Sequence, residues 1–174
     1  MKRSIAVVSI VLLTLLFVAS AAVAAVDIKL AHVVNENDAF HVCALKFKEL
    51  VEAGSKGELT VTIYPNAQLG DERNLLESMR MGVVDSAIIT GGPIMNFMPK
   101  FGVFDLPFLF STPEHAYKVL DGEIGKMMLN EMEQHGWKGL AYGERGFRNL
   151  TNSKQPVKTP EDMKGLKIRL MQNP

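Results

Sequence analysis

Apolar and polar positions along the chain fall into blocks whose spacing switches between the strand and helix periods. Residues 27–34 (DIKLAHVV) carry Ile28, Leu30 and two valines and read as a buried strand. Asn35-Glu36-Asn37-Asp38 is a turn that can cap a helix, and Phe40, Ala44, Phe47, Leu50 and Val51 then recur at helical spacing. Lys46, Lys48, Glu49 and Glu52 take the other side, and Gly54 and Gly57 end the helix. Leu59 to Tyr64 (LTVTIY) is β-branched and aromatic, a strand closed by Pro65. The cycle repeats: Asp71 caps a helix with Leu75, Leu76 and Met79 on one face, and Gly82 stops it. Val83 to Thr90 is a second apolar strand running into Gly91-Gly92-Pro93, a turn, and a short strand is expected around Gly102 to Leu106. Thr112-Pro113-Glu114 starts a helix with a cap, a proline at the first position and a carboxylate in the first turn. Ala116, Val119, Leu120, Met127, Met128 and Met132 fill one face of the helical stretch beyond it, with Asp121-Gly122 as a break, and Trp137 to Tyr142 reads as another strand.

Strands alternating with helices predict an α/β fold with a largely parallel sheet. After Tyr142 the texture changes. Residues 143–160 are polar, with two glycines and two prolines, and have the look of a crossing segment. Thr159-Pro160-Glu161-Asp162 starts one helical turn, and Gly165 releases the chain into a strand, Leu166 to Met171. The sequence stops at Pro174 just after that strand begins, so it reads as the amino-terminal portion of something longer. The expected organisation is a leader over 1–24, a first α/β lobe over 25–147, and a crossing segment with the start of a second lobe over 148–174.

The leader is read from Lys2 and Arg3, the apolar run Ile5 to Val26, and Ala22-Val23-Ala24 at its end. A basic start, an apolar stretch and small residues at an A-x-A-like site form the secretory pattern. An uncleaved membrane anchor is the alternative, since the run is just long enough to span a bilayer. Removing 1–24 takes two of 19 basic residues and none of 19 acidic ones, which leaves a formal charge of −2. That balance excludes the clustered basic excess of a nucleic-acid binder. With 47% hydrophobic residues the chain is also too apolar for a disordered tail. One cysteine excludes a disulfide scaffold, and Cys43, on or beside the apolar face of its helix, reads as a small buried hydrophobe.

No catalytic constellation is visible: the chain has no G-x-S-x-G elbow, H-E-x-x-H, P-loop or G-x-G-x-x-G. Histidines 32, 41, 115 and 135 share no metal-ligand spacing; His135-Gly136 suits a helix end and His115 a solvated first turn. The ten methionines lie mostly on apolar helical faces and read as core. The positive signal is two arginines. Arg148 lies in G-F-R-N-L-T-N-S after the Trp137 to Tyr142 strand, and Arg169 lies in K-I-R-L, where strand alternation sets it apart from Leu166, Ile168 and Leu170. Ligands collect at the carboxyl ends of strands in open α/β sheets, and a guanidinium there offers a planar fork to a carboxylate. A structural partnership with a nearby Asp or Glu is the plainer reading of either residue.

Several stretches together resemble one family. They are I-K-L-A-H at 28–32, Y-P-N-A-Q-L-G-D-E-R at 64–73, G-V-V-D-S-A-I-I-T at 82–90, F-D-L-P-F-L-F at 104–110, T-N-S-K-Q-P-V at 151–157 and T-P-E-D-M-K-G-L-K-I-R-L at 159–170. In this order the chain resembles the DctP-type substrate-binding subunit of tripartite ATP-independent periplasmic (TRAP) transporters. The resemblance implies a periplasmic-binding-protein-like, two-lobed α/β fold that closes on an organic acid, with no catalytic residue, metal or cofactor. It assigns the carboxylate-binding arginine to Arg169 and an assisting arginine to Arg148, with His32 and Thr90 as further substrate-binding positions after the first and third strands. It implies export to the periplasm, a small carboxylate ligand such as a C4-dicarboxylate, and delivery to membrane permease subunits, with no nucleic acid involved. Members of that family are about twice this length, and a half-cleft leaves its ligand wet. Two rivals stay open: an extracellular sensing domain held by an uncleaved anchor, and a secreted enzyme whose catalytic residues lie elsewhere.

Overall fold

The computed structural model describes residues 25–170; residues 1–24, where the leader is expected, and residues 171–174 lie outside the described part. Three parallel strands, β1 (Val26–Ala31), β2 (Leu59–Tyr64) and β3 (Ser86–Ala87), form a sheet in the order β2-β1-β3. The β1–β2 register runs from Val26↔Leu59 to Ala31↔Tyr64, and β3 joins at Leu30↔Ser86 and Ala31↔Ala87. Helix α1 (Ala39–Gly54) connects β1 to β2, and α2 (Glu72–Arg80) connects β2 to β3. Both start where the sequence places a cap: Asp38 accepts from the Phe40 N–H, and Asp71 accepts from the Asn74 N–H.

Alternation along β1 divides the core. Leu30 packs with Ala44 and Val61, beside Phe47 and Val51 of α1. The next residue, Ala31, faces the other way and packs with Leu75 and Val84 under α2. The outer edge of β2 is covered by α1, because Glu52 accepts the Val61 N–H at 3.0 Å and Lys48 donates to the Val61 carbonyl at 2.6 Å. These two charges, expected on a solvated helix face, instead block an open strand edge.

A third cluster, Leu76, Ile94, Met98, Phe101, Met128 and Trp137, joins α2 to the second half of the chain. Here the elements are α3 (Gly91–Ile94), a 3₁₀ segment (Pro99–Asp105), α4 (Pro113–Leu120), α5 (Glu123–Glu131) and a 3₁₀ turn (Met132–His135). Thr112 caps α4 as expected, and the chain breaks at Asp121-Gly122. Gly125 is required by close approach: a Cβ there would stand 1.8 Å from the Leu120 carbonyl oxygen. Gly136, at φ 88°, turns the chain out of the 3₁₀ turn in the left-handed conformation and delivers Trp137 to the core. The indole N–H of Trp137 donates to the Leu76 carbonyl at 2.9 Å, while Arg80 lies over its ring.

Several local expectations are corrected. Gly102 to Leu106 is not a strand but belongs to the 3₁₀ segment, where Met98 and Phe101, three apart, turn inward together. Gly91-Gly92-Pro93 opens α3 rather than a turn. The Val83 to Thr90 strand shrinks to Ser86–Ala87, continued by one further bond from the Ile88 N–H to the Ala31 carbonyl. Trp137 to Tyr142, and Leu166 through Leu170, join no ladder among the described residues. Strand propensity without a neighbour to pair with yields only extended chain. Cys43 is exposed, since it sits on the flank of the Phe40–Ala44–Phe47 stripe. Met127 is exposed as well, because its neighbour Met128 takes the inward position and successive helical residues point about 100° apart.

Residues 143–170 lie on the surface, and none of them is buried. The 3₁₀ turn Pro160–Met163 is held by the expected capping box, with Thr159 and Asp162 serving each other's backbone. The Lys158 and Thr159 backbone N–H groups, both donating to it, hold the Asp162 carboxyl below its ordinary value.

Candidate binding cleft and the carboxyl edge of the sheet

Because the strands are parallel, their carboxyl ends share one edge, and β1 and β3 lead there to His32 and Thr90. β1 runs into His32. Its backbone is fixed on both sides, its N–H donating to Tyr64 and its carbonyl accepting from Ala67. Its side chain is fully buried, with Nε2 3.0 Å from Nδ1 of His41 and the two rings edge to face at 5.2 Å. Nδ1 of His32 has no hydrogen-bond partner among the described residues. Burial, then the neighbouring His41, lowers the His32 pKa from its ordinary 6.5; the Val34 backbone, Asp38 and Glu36 pull more weakly the other way.

His41 carries no motif that marks it as a partner, and nine residues separate it from His32. It lies in the first turn of α1 beside Asp38. One oxygen of Asp38 caps the helix, and the other pairs with Arg145, whose guanidinium lies 5.1 Å above the Phe40 ring. Partial burial raises the Asp38 carboxyl, but the Phe40 N–H and Arg145 outweigh it, and the net shift is downward. Arg145 thus clips the chain just after Tyr142 to the start of α1. A lone G-E-R-G offers no sequence signal for that contact.

β3 runs on to Thr90, which precedes α3 but does not cap it. Its N–H and hydroxyl both go to Glu72, the first residue of α2, each at 2.7 Å. Glu72 is only 8% exposed.

The two arginines come later in the chain, at 148 and 169. Arg169 lines a cleft of about 520 Å³ between residues 149–154 and 166–169, into which the T-N-S stretch and the K-I-R-L stretch are brought together. Arg169 is exposed and makes no ion pair among the described residues. Arg148 is also exposed and immediately precedes the cleft wall at Asn149. Neither His32 nor Thr90 lines this cleft. Of the four anticipated residues, His32 and Thr90 follow β1 and β3 at the sheet edge, Arg169 lines the cleft and Arg148 immediately precedes its wall. Among the described residues no cluster of three or more His, Cys, Asp or Glu can hold a metal, and no helix is long and apolar enough to cross a membrane.

A three-stranded parallel sheet with helices packed against it is the α/β architecture expected of a periplasmic-binding-protein-like fold. The family described as bacterial extracellular solute-binding protein, family 7 (DctP) matches residues 30–174, and the chain belongs to it. Among curated proteins it is 36% identical to the 2,3-diketo-L-gulonate-binding periplasmic protein of Escherichia coli over 155 residues, covering 89% of this chain and 47% of that protein. Among solved structures it superposes with TM-score 0.82 on the sugar acid binding protein of Advenella mimigardefordensis in complex with galactonate, at 35% identity over 87% of this chain and 49% of the other. It superposes with TM-score 0.79 on a TRAP periplasmic solute-binding protein of Sulfurospirillum deleyianum with bound succinate, at 32% identity over 86% and 48%. The chain spans about half the length of the relatives it matches.

Proposed function

We propose that the protein is an exported solute-binding receptor of a TRAP transporter. It captures a carboxylate-bearing organic acid in the periplasm and passes it to membrane permease subunits, without making or breaking a bond. The observation that carries this reading is Arg169, an exposed guanidinium with no ion-pair partner among the described residues, set in a cleft of about 520 Å³ in a chain of this family. In this reading Arg169 receives the ligand carboxylate through its planar fork and Arg148 assists. Thr90 and His32 contribute at the sheet edge, His32 through the His41 ring that it holds. Residues 1–24 act as the export signal, 25–147 as the first lobe, and 148–174 as the crossing segment that enters the second.

C4-dicarboxylates are one ligand class within this reading. The relatives named above carry a diketo sugar acid, galactonate and succinate in their descriptions, so the shared feature is the carboxylate. The test is calorimetric titration of the longest chain the gene encodes with an acid panel and the matching amides. Binding of an acid but not its amide is expected. Arg169→Ala should abolish that binding in a protein that still unfolds cooperatively, and Arg169→Lys should bind poorly because the bidentate geometry is lost. Undiminished affinity in Arg169→Ala removes this residue from its role.

A further inference from the structure

We propose that Glu72 fixes Thr90 as an acceptor at the carboxyl edge of the sheet, and that this edge selects hydroxyl-bearing monocarboxylates over acids with a second carboxylate. The inference rests on the receptor reading above, since it assumes that an organic acid lies against Thr90.

Both oxygens of Glu72 are occupied by one residue. Oε1 accepts the Thr90 backbone N–H and Oε2 accepts the Thr90 hydroxyl, at 2.7 Å each. Glu72 is buried at the start of α2, where the helix favours its negative charge, and it takes part in no ion pair among the described residues. A hydroxyl has one proton and two lone pairs. With its proton committed to Glu72, Thr90 Oγ1 has only lone pairs left for a ligand. The Thr90 N–H, which would otherwise point free at the start of α3, is committed to the same carboxylate.

A ligand carboxylate is an acceptor too. Placed against Thr90 it sets lone pairs against lone pairs, and it lies next to the Glu72 charge where solvent screening is reduced. A ligand hydroxyl donates to Thr90 Oγ1 and carries no charge. The labour divides accordingly: the carboxylate goes to the guanidinium, and a hydroxylated carbon chain goes to the Glu72–Thr90 pair. A site built to take a ligand hydroxyl discriminates strongly against an analogue that lacks it, because its polar group is then left unpaired.

The test compares threonate with succinate, both four-carbon acids, by calorimetry on the longest chain the gene encodes. Threonate is expected to bind at least about tenfold more tightly. In Glu72→Gln the new amide N–H donates to Thr90 Oγ1, which frees the hydroxyl proton for the ligand, so the ratio should shift toward succinate. In Thr90→Val the acceptor is lost at similar shape, so the threonate-to-succinate affinity ratio should fall by about tenfold. If Glu72→Gln does not fold, the Thr90→Val ratio decides alone. Succinate binding as tightly as threonate overturns this inference and leaves the receptor reading standing, as does a Thr90→Val protein with an unchanged ratio. No response to any acid overturns both.

Discussion

Leu75, in α2, has no solvent exposure, whereas Leu170, at the end of the described chain, is 79% exposed. The same side chain meets opposite fates in two regions of one molecule. In residues 26–142 the main apolar stripes face a second element: α1 and α2 cover the two faces of the sheet, and α5 with Trp137 closes over Leu76. In residues 143–170 Phe147, Leu150, Ile168 and Leu170 are no less apolar, yet all four stay exposed. That region is held by polar clips: Arg145 on Asp38, Glu144 accepting from the Tyr117 hydroxyl at 2.7 Å, and the Thr159–Asp162 capping box. Burial anchors the first region; the second is shaped by hydrogen bonds that water competes for.

The contrast is sharpest under core truncation. Leu75→Ala should cost about 2–5 kcal/mol in urea unfolding, while Leu170→Ala should stay within about 0.5 kcal/mol. Equal losses would mean that the two regions share one core. Limited proteolysis probes the same difference without mutation. Trypsin should cut first at Arg148, Lys154 or Lys158 and leave the sheet region intact, and early cleavage within 26–137 would break the comparison. Arg145→Ala should speed that cleavage while costing about 1 kcal/mol, because the Arg145 side chain is about half exposed and water competes for the pair.

Acid acts on the clip and on the sheet edge in separate windows. The folded-state pKa of His32 lies below its ordinary 6.5, so below that pH the unfolded chain binds more protons and stability falls as the solution is acidified. The lowered Asp38 carboxyl gives stability that is full above its ordinary 3.8 and disappears as pH falls through its folded value. His32→Leu should therefore flatten the decline just below pH 6.5 and leave the deeper acid limb in place. A decline of unchanged shape would place the titrating group elsewhere. A small gain is expected at Phe108, which is fully exposed and holds a φ of 62°. Phe108→Asn should raise stability by roughly 0.5–1 kcal/mol by relieving a left-handed backbone at no cost in packing.

Much of the first region was legible because its signals are local. Asp38, Asp71 and Thr112 each bond to the backbone two or three residues on, so their helix starts are written in adjacent letters. The stripe of Phe40, Ala44 and Phe47 and the run Leu59 to Tyr64 obey the periods of a helix and a strand, and both elements formed where expected. The strands expected over 137–142 and 166–171 share the residue types of β2 but, over their described residues, have no neighbour to pair with, and pairing is a long-range fact. The site divides in the same way. Arg169 and Arg148 were singled out as candidates from residue type, position and the family resemblance, whereas His41, Glu72 and Arg145 carried no signal, because each acts on a residue 9, 18 or 107 positions away.

The amino-acid order by itself determined the α/β class, the caps and the main breaks. All of these depend on residue type and on spacing within a few turns of chain. Only the tertiary structure decided which strands pair, that Lys48 and Glu52 guard the edge of β2, that two distant histidines meet, and that Glu72 claims the proton and amide of Thr90. Those outcomes require the sheet to bring remote residues within hydrogen-bond reach. A distance of 2.7 Å between groups 18 residues apart is a property of packing, which periodicity along the chain does not encode.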